Sequence, residues 1–155
     1  MTTKLPFHLL VRFSDNLLKS MDTMDAHLQV IEQHGAVWFG KMGNPVSGLK
    51  LEEVNQQVKD GIPTYIYLIK GNRRKSTAYR GKLVSATRDI PQKEKTMIPQ
   101  YYTIVDIIRH IRTWFKLSEI EPIEMSELNQ LKVVGSVLPI QETLVKSATG
   151  HFFVR

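Results

Sequence analysis

The order of strand and helix signals predicts an α+β domain built on a mixed, strongly curved sheet flanked by helices. Three observations carry that expectation. Two β-prone apolar runs each precede an amphipathic stretch, two further strand signals follow back to back around Gly71-Asn72, and the later segments lack the regular alternation of a doubly wound sheet. No repeat, low-complexity tract or internal linker divides the 155 residues, so a single domain is expected over 1–155.

The first strand is read at Pro6–Phe13 (PFHLLVRF), closed by the turn-prone Ser14-Asp15-Asn16. Asp22 or Thr23 can cap a helix whose Met24, Leu28 and Ile31 share one face, with Gly35 as a left-handed stop. Ala36–Met42 is a second strand, ended by Gly43-Asn44-Pro45. Leu51, Val54 and Val58 mark a short helix stopped by Gly61, and Pro63 opens a third strand, TYIYLIK. The chain turns near Gly71-Asn72 and returns as a fourth strand over Thr77–Thr87. Residues 89–103, with Pro91 and Pro99, read as a long exposed loop ending in Tyr101-Tyr102. A strand is expected over Ile108–Leu117, a polar connector over 121–132, a helix opening at Pro139, and a last strand or tail at HFFVR.

Composition removes several function classes. Hydrophobic residues at 42% and charged residues at 23% are globular values, which argues against disorder. With no cysteine, disulfides, thiolate metal sites and thiol catalysis are impossible, and a cytoplasmic setting fits. The N-terminal apolar run, broken by Pro6, His8 and Arg12, is too short for a membrane span. No two of the five histidines have helical zinc spacing, and there is no phosphate loop or nucleophile elbow. The paired carboxylates Glu52-Glu53 and the acids of the late connector read as solvated surface. No catalytic residue, metal or cofactor is therefore expected, and the chain reads as a binding module rather than an enzyme.

Charge placement points to the partner. The chain carries +6 overall, yet Lys70 to Lys95 alone carries +7, with nine basic residues against Asp89 and Glu94. The whole positive excess sits in one hairpin and its flanks, as expected for a contact with phosphates. The bland alternative is a solvated hairpin whose lysines guard a sheet edge. Aromatic residues supply the second half of the case. Trp38-Phe39 enters a strand, Tyr65 and Tyr67 share a strand face, Tyr101-Tyr102 closes the long loop, and Trp114-Phe115 sits in a late strand. Bases stack on such rings for about 1–3 kcal/mol each. Trp114 and Phe115 read as core on their strand setting.

Together VRFSDN, GAVWFGKMG, GIPTYIYLIKG, STAYRGKLVSA and IRTWFKLSEIEPIE resemble, in their order and in a few short motifs, the EVE/YTH-like domains of the PUA superfamily, over most of residues 6–130. The resemblance implies a PUA-like pseudo-barrel with a pocket beside strands one and two. YTH domains cage the methyl group of N6-methyladenine there, and EVE-like domains serve as specificity modules of modification-dependent restriction systems, including McrB-type GTPases. Carried over, Trp38 is the first cage wall, Tyr101 or Tyr102 the loop wall, and Ser14, Asp15 and Asn16 the readers of the base edge. Phe39 stands where the family often has a small polar residue, and a second cage tryptophan is not evident. Lys41, Arg73, Arg74, Lys75, Arg80 and Lys82 are expected on flanking phosphates. The implied function is recognition of a flipped, modified base in DNA, with a GTPase or nuclease subunit or downstream domain as partner. The alternatives are an RNA-binding PUA-like domain and a protein-interaction domain that meets an acidic surface.

Overall fold

The structure is a computed structural model describing residues 5–13, 22–71, 76–136, 138, 140–146 and 150–155. Strand β1 (His8–Phe13) leads to helix α1 (Thr23–His34). The Asp22 carboxylate accepts from the backbone N–H groups of Met24 and Asp25, and Gly35 ends the helix at φ 82°. Such a left-handed stop favours a residue without Cβ. Strand β2 (Val37–Lys41) and helix α2 (Gly48–Lys59), capped by Ser47, follow. Next come β3 (Tyr65–Gly71) and β4 (Ser76–Thr87). A 3₁₀ segment at Gln92–Met97, the single-turn helix α3 (Tyr101–Ile104) and a 3₁₀ turn at Ile108–His110 lead to β5 (Thr113–Ile123). A 3₁₀ segment at Met125–Gln130, helix α4 (Ile140–Lys146) and β6 (His151–Val154) complete the described elements.

Six strands form one mixed sheet in the order β2-β5-β4-β3-β1-β6. Only β1 and β3 run parallel among these pairs, with Leu9 beside Ile66 and Phe13 beside Lys70. The β4–β5 register slips on either side of Leu83, and such irregularities sharpen twist and bend. Curvature carries the edge strand β2 back towards β1. The Phe13 and Phe39 rings meet edge-on, centroids 6.1 Å apart, and Lys41 Nζ would lie 3.6 Å from a Cβ at Gly150, just before β6. The sheet thus nearly closes on itself.

Strand alternation divides the apolar residues between an inner core and two outer patches. Inside, Leu9, Val11, Phe39, Ile66, Leu68 and Phe115 meet Met24 of α1 and Leu51 and Val54 of α2. Outside, Leu10, Ile69, Ala78 and Phe152 are covered by Leu128, Leu131 and Ile140. On the far side of the sheet Trp38 and Trp114 lie under Ile98, Tyr101, Tyr102 and Ile111.

Three expectations are corrected. Residues 89–103 are not an exposed loop, since they contain two helical segments and seal the Trp38–Trp114 face. Residues 108–110 form a turn, and β5 starts at Thr113. It then runs through Ile123, into the expected connector, because buried Ile120 alternates with exposed Glu119 and Glu121, which stand opposite Lys82 and Arg80. Pro139 lies outside the described residues.

Candidate nucleic-acid interface

Where the sheet nearly closes, a cleft of about 430 Å³ opens, lined by Phe13, Phe39, Tyr101 and Tyr102, with Arg12 and Met42. That volume falls within the range of small-ligand sites. Three elements place the four rings. Phe13 ends β1, Phe39 sits in β2, and the two tyrosines come from α3. The tyrosine rings stack on each other at 4.3 Å with a 23° tilt.

A buried chain of hydrogen bonds fixes the tyrosine wall. His27 Nδ1 lies 2.7 Å from the Thr23 carbonyl, which can only accept, so this nitrogen carries the proton. His27 Nε2 then accepts from the Tyr102 hydroxyl at 2.9 Å, and the same hydroxyl accepts from the Gly40 N–H at 2.9 Å. One side chain thereby ties α1, β2 and α3 together. Burial lowers the His27 pKa to about 4, against the opposing pull of the Thr23 carbonyl. Burial also pushes the Tyr102 phenol up to about 12. Both groups are neutral near pH 7, which preserves the donor–acceptor order. Gly40 is required here, because a Cβ would stand 2.7 Å from Ile111 Cδ1 and 3.0 Å from the Trp114 ring.

The cleft borders three expected pocket residues, Phe39, Tyr101 and Tyr102, which are themselves core residues at 2%, 6% and 1% exposed and present only their edges to it. Trp38 is a correction. Successive strand residues face opposite sides, so Trp38 points away from Phe39; it is 5% exposed and buried with Ile98, Ile111 and Trp114. It borders a separate shallow hollow of about 350 Å³ with Thr87 and Pro91. Ser14, Asp15 and Asn16 lie outside the described residues, directly after cleft-lining Phe13.

The expected phosphate contacts scatter. Lys41 is 2% exposed, and its ammonium donates to the carbonyls of Met42 at 3.1 Å and Asn44 at 2.6 Å, so it stabilises its own turn instead of reaching outward. Desolvation lowers its pKa. Arg80 is paired with Glu121 and stacked 4.9 Å over the Tyr65 ring. It shares the outer sheet face with Lys82, opposite the face that carries Phe13 and Phe39. Arg73, Arg74 and Lys75 lie outside the described residues.

Residue types alone did not single out Phe13, Met42 or His27. The available signal was placement: Phe13 closes the first strand, and His27 lies on the apolar face of α1 with Met24 and Ile31. Arg109 and Arg112, both exposed, lie in and just after the 3₁₀ turn that follows α3 and were hidden by the larger charge run upstream.

The chain is thus an α+β domain with a curved mixed sheet and an aromatic cleft at its seam. The chain belongs to the PUA-like family, which it matches over residues 9–148. Domains of this family are typically non-catalytic binding modules, and membership points in general to RNA or other nucleic-acid binding. No curated protein and no solved structure matches the chain. Among the described residues no helix is long and apolar enough to cross a membrane.

Proposed function

We propose that this domain binds nucleic acid by taking one extruded, modified base into the cleft between β1 and β2. The observation that carries the reading is the cleft of about 430 Å³ walled by Phe13, Phe39, Tyr101 and Tyr102. Phe13, the half-buried ring of the four, offers a stacking face worth about 1–3 kcal/mol, while the buried Phe39, Tyr101 and Tyr102 form the floor. Extrusion costs a few kcal/mol, so stacking and phosphate neutralisation together must exceed it. A methyl group on the base adds about 0.8 kcal/mol when buried, with further gain from contact with the rings. Ser14, Asp15 and Asn16 follow Phe13 in sequence and are the proposed readers of the base edge. Arg73, Arg74 and Lys75 are the proposed contacts to flanking phosphates. Trp38 is given a new part, supporting the tyrosine wall from behind. Modified DNA is the favoured ligand by likeness to EVE/YTH-like domains, and a GTPase or nuclease is the proposed effector. Family membership keeps RNA as the second reading.

The test is titration of matched DNA and RNA oligonucleotides, plain, methylated and hydroxymethylated, at two salt concentrations. Preference for one modification is expected. Met42 is 47% exposed beside the cleft, so Met42→Asp leaves the core intact and is expected to weaken binding of the preferred oligonucleotide. Equal, steeply salt-dependent affinity for every oligonucleotide, unaffected by Met42→Asp, would sink the reading and leave an electrostatic binder.

A further inference from the structure

The turn that delivers the tyrosine wall also carries the most exposed large apolar residue among those described: Ile104, 75% exposed, followed by the less exposed Val105. Exposed apolar side chains are common, but this one sits on a hydrogen-bonded tip. Ile104 N–H bonds to the Gln100 carbonyl at 3.0 Å, Val105 N–H to Tyr101 at 2.9 Å, Asp106 N–H to Thr103 at 3.1 Å and Ile107 N–H to Tyr102 at 3.0 Å. Asp106 takes a left-handed φ of 55°, and Arg109 pairs with its carboxylate at 2.8 Å. A side chain on such a tip loses little backbone freedom when it binds.

Its position relates it to the cleft. Ile104 and Tyr101 lie three residues apart on α3, on the same helical face, and both border one groove beside α1. Tyr101 also lines the aromatic cleft, as does Ile107 on the other side of the tip. The exposed Arg109, His110 and Arg112 follow at once. An apolar projection, separated from a base-sized cleft by Tyr101 and followed by two arginines, matches the requirement for opening a duplex. The projection fills the gap left in the stack while the base enters the cleft, and Arg112 holds an adjacent phosphate.

We infer that Ile104, supported by Val105, is a wedge that enters the base stack of duplex DNA at the position vacated by the extruded base. The inference rests on the base-binding reading of the cleft and adds the duplex state of the ligand and the residue that makes extrusion favourable. The wedge acts only when a base must leave a stack, so its effect separates from that of the cleft.

The experiment compares the full chain with Ile104→Ala, Ile104→Leu and Ile104→Asp. Ligands are a DNA duplex carrying the preferred modified base, the same strand alone, and the duplex with that base unpaired. Ile104→Ala is expected to weaken the paired duplex about tenfold, the unpaired duplex less, and the single strand by no more than about twofold. Ile104→Leu restores duplex binding, and Ile104→Asp weakens it further. In the wild-type complex, 2-aminopurine beside the target brightens on binding, and Ile104→Ala diminishes that signal. Equal losses on duplex and single strand, or no loss on either, would overturn the wedge while leaving the cleft reading intact. If the wild-type chain binds no modified single strand, the cleft reading itself fails, and the wedge falls with it.

Discussion

At the scale of single residues, Tyr102 does the most to shape the cleft. Its hydroxyl satisfies both His27 Nε2 and the Gly40 N–H, all of them buried. Tyr102→Phe removes the oxygen and leaves two buried polar groups unpaired, at about 1–3 kcal/mol. Urea denaturation should show that loss, together with weaker binding of the preferred oligonucleotide. His27 gives the same network a pH dependence. Its pKa is about 4 folded against 6.5 for the ordinary imidazole, so between those values the unfolded chain binds the extra proton. Stability is fully present above pH 6.5 and falls as pH drops towards 4, by about 3 kcal/mol across the window. Burial of His8 and His151 acts in the same direction. Denaturation midpoints between pH 7 and pH 4 should decline in the wild type and decline less in His27→Gln.

At the scale of elements, the segment between β4 and β5 is anchored by side chains rather than by regular backbone structure. Its helical pieces are short, and Ile98 is one of the residues that hold them against Trp38 and Trp114. Ile98→Ala should cost about 2–4 kcal/mol and release residues 90–108 first. Amide exchange should rise across that segment more than in β3 or β4, and oligonucleotide binding should weaken with it. The same segment shows where the sequence was mute. Asp22 and Gly35 were visible as the limits of α1, because capping is local chemistry. Four- and six-residue turns have too few residues to display a period, and distant side chains hold them in place. β2 misled for a related reason. All five of its residues are buried, so polarity carries no information on which face Trp38 or Phe39 occupies. The cleft gathers residues 13, 39 and 102 from three parts of the chain, which no local pattern reveals. Its tyrosines stood out in the sequence for an expected exposed-loop position, which the structure replaces with a helical turn that buries them.

At the scale of the whole molecule, a net charge of +6 sets long-range attraction to an acidic polymer. Replacing Arg73, Arg74 and Lys75 with alanine should weaken every oligonucleotide alike. It should also reduce the slope of log affinity against log salt by about one for each phosphate no longer neutralised. Modification preference, which belongs to the cleft, should survive. A slope that stays unchanged would show that the electrostatic work is done elsewhere, with Arg109 and Arg112 as the next residues to replace.

The placement of β1 between β3 and β6 bears on biosynthesis. Leu9 and Leu10 stand beside Ile66 and Tyr67 on one side and beside Phe153 and Phe152 on the other. The opening strand therefore waits for the closing one, and a nascent polypeptide that halts before His151 leaves a hydrogen-bonding margin uncovered along Leu9–Val11. Pairings so distant along the chain close slowly, and an unpaired margin of this kind recruits other chains. Shortened products should accumulate as aggregates rather than as a smaller native domain.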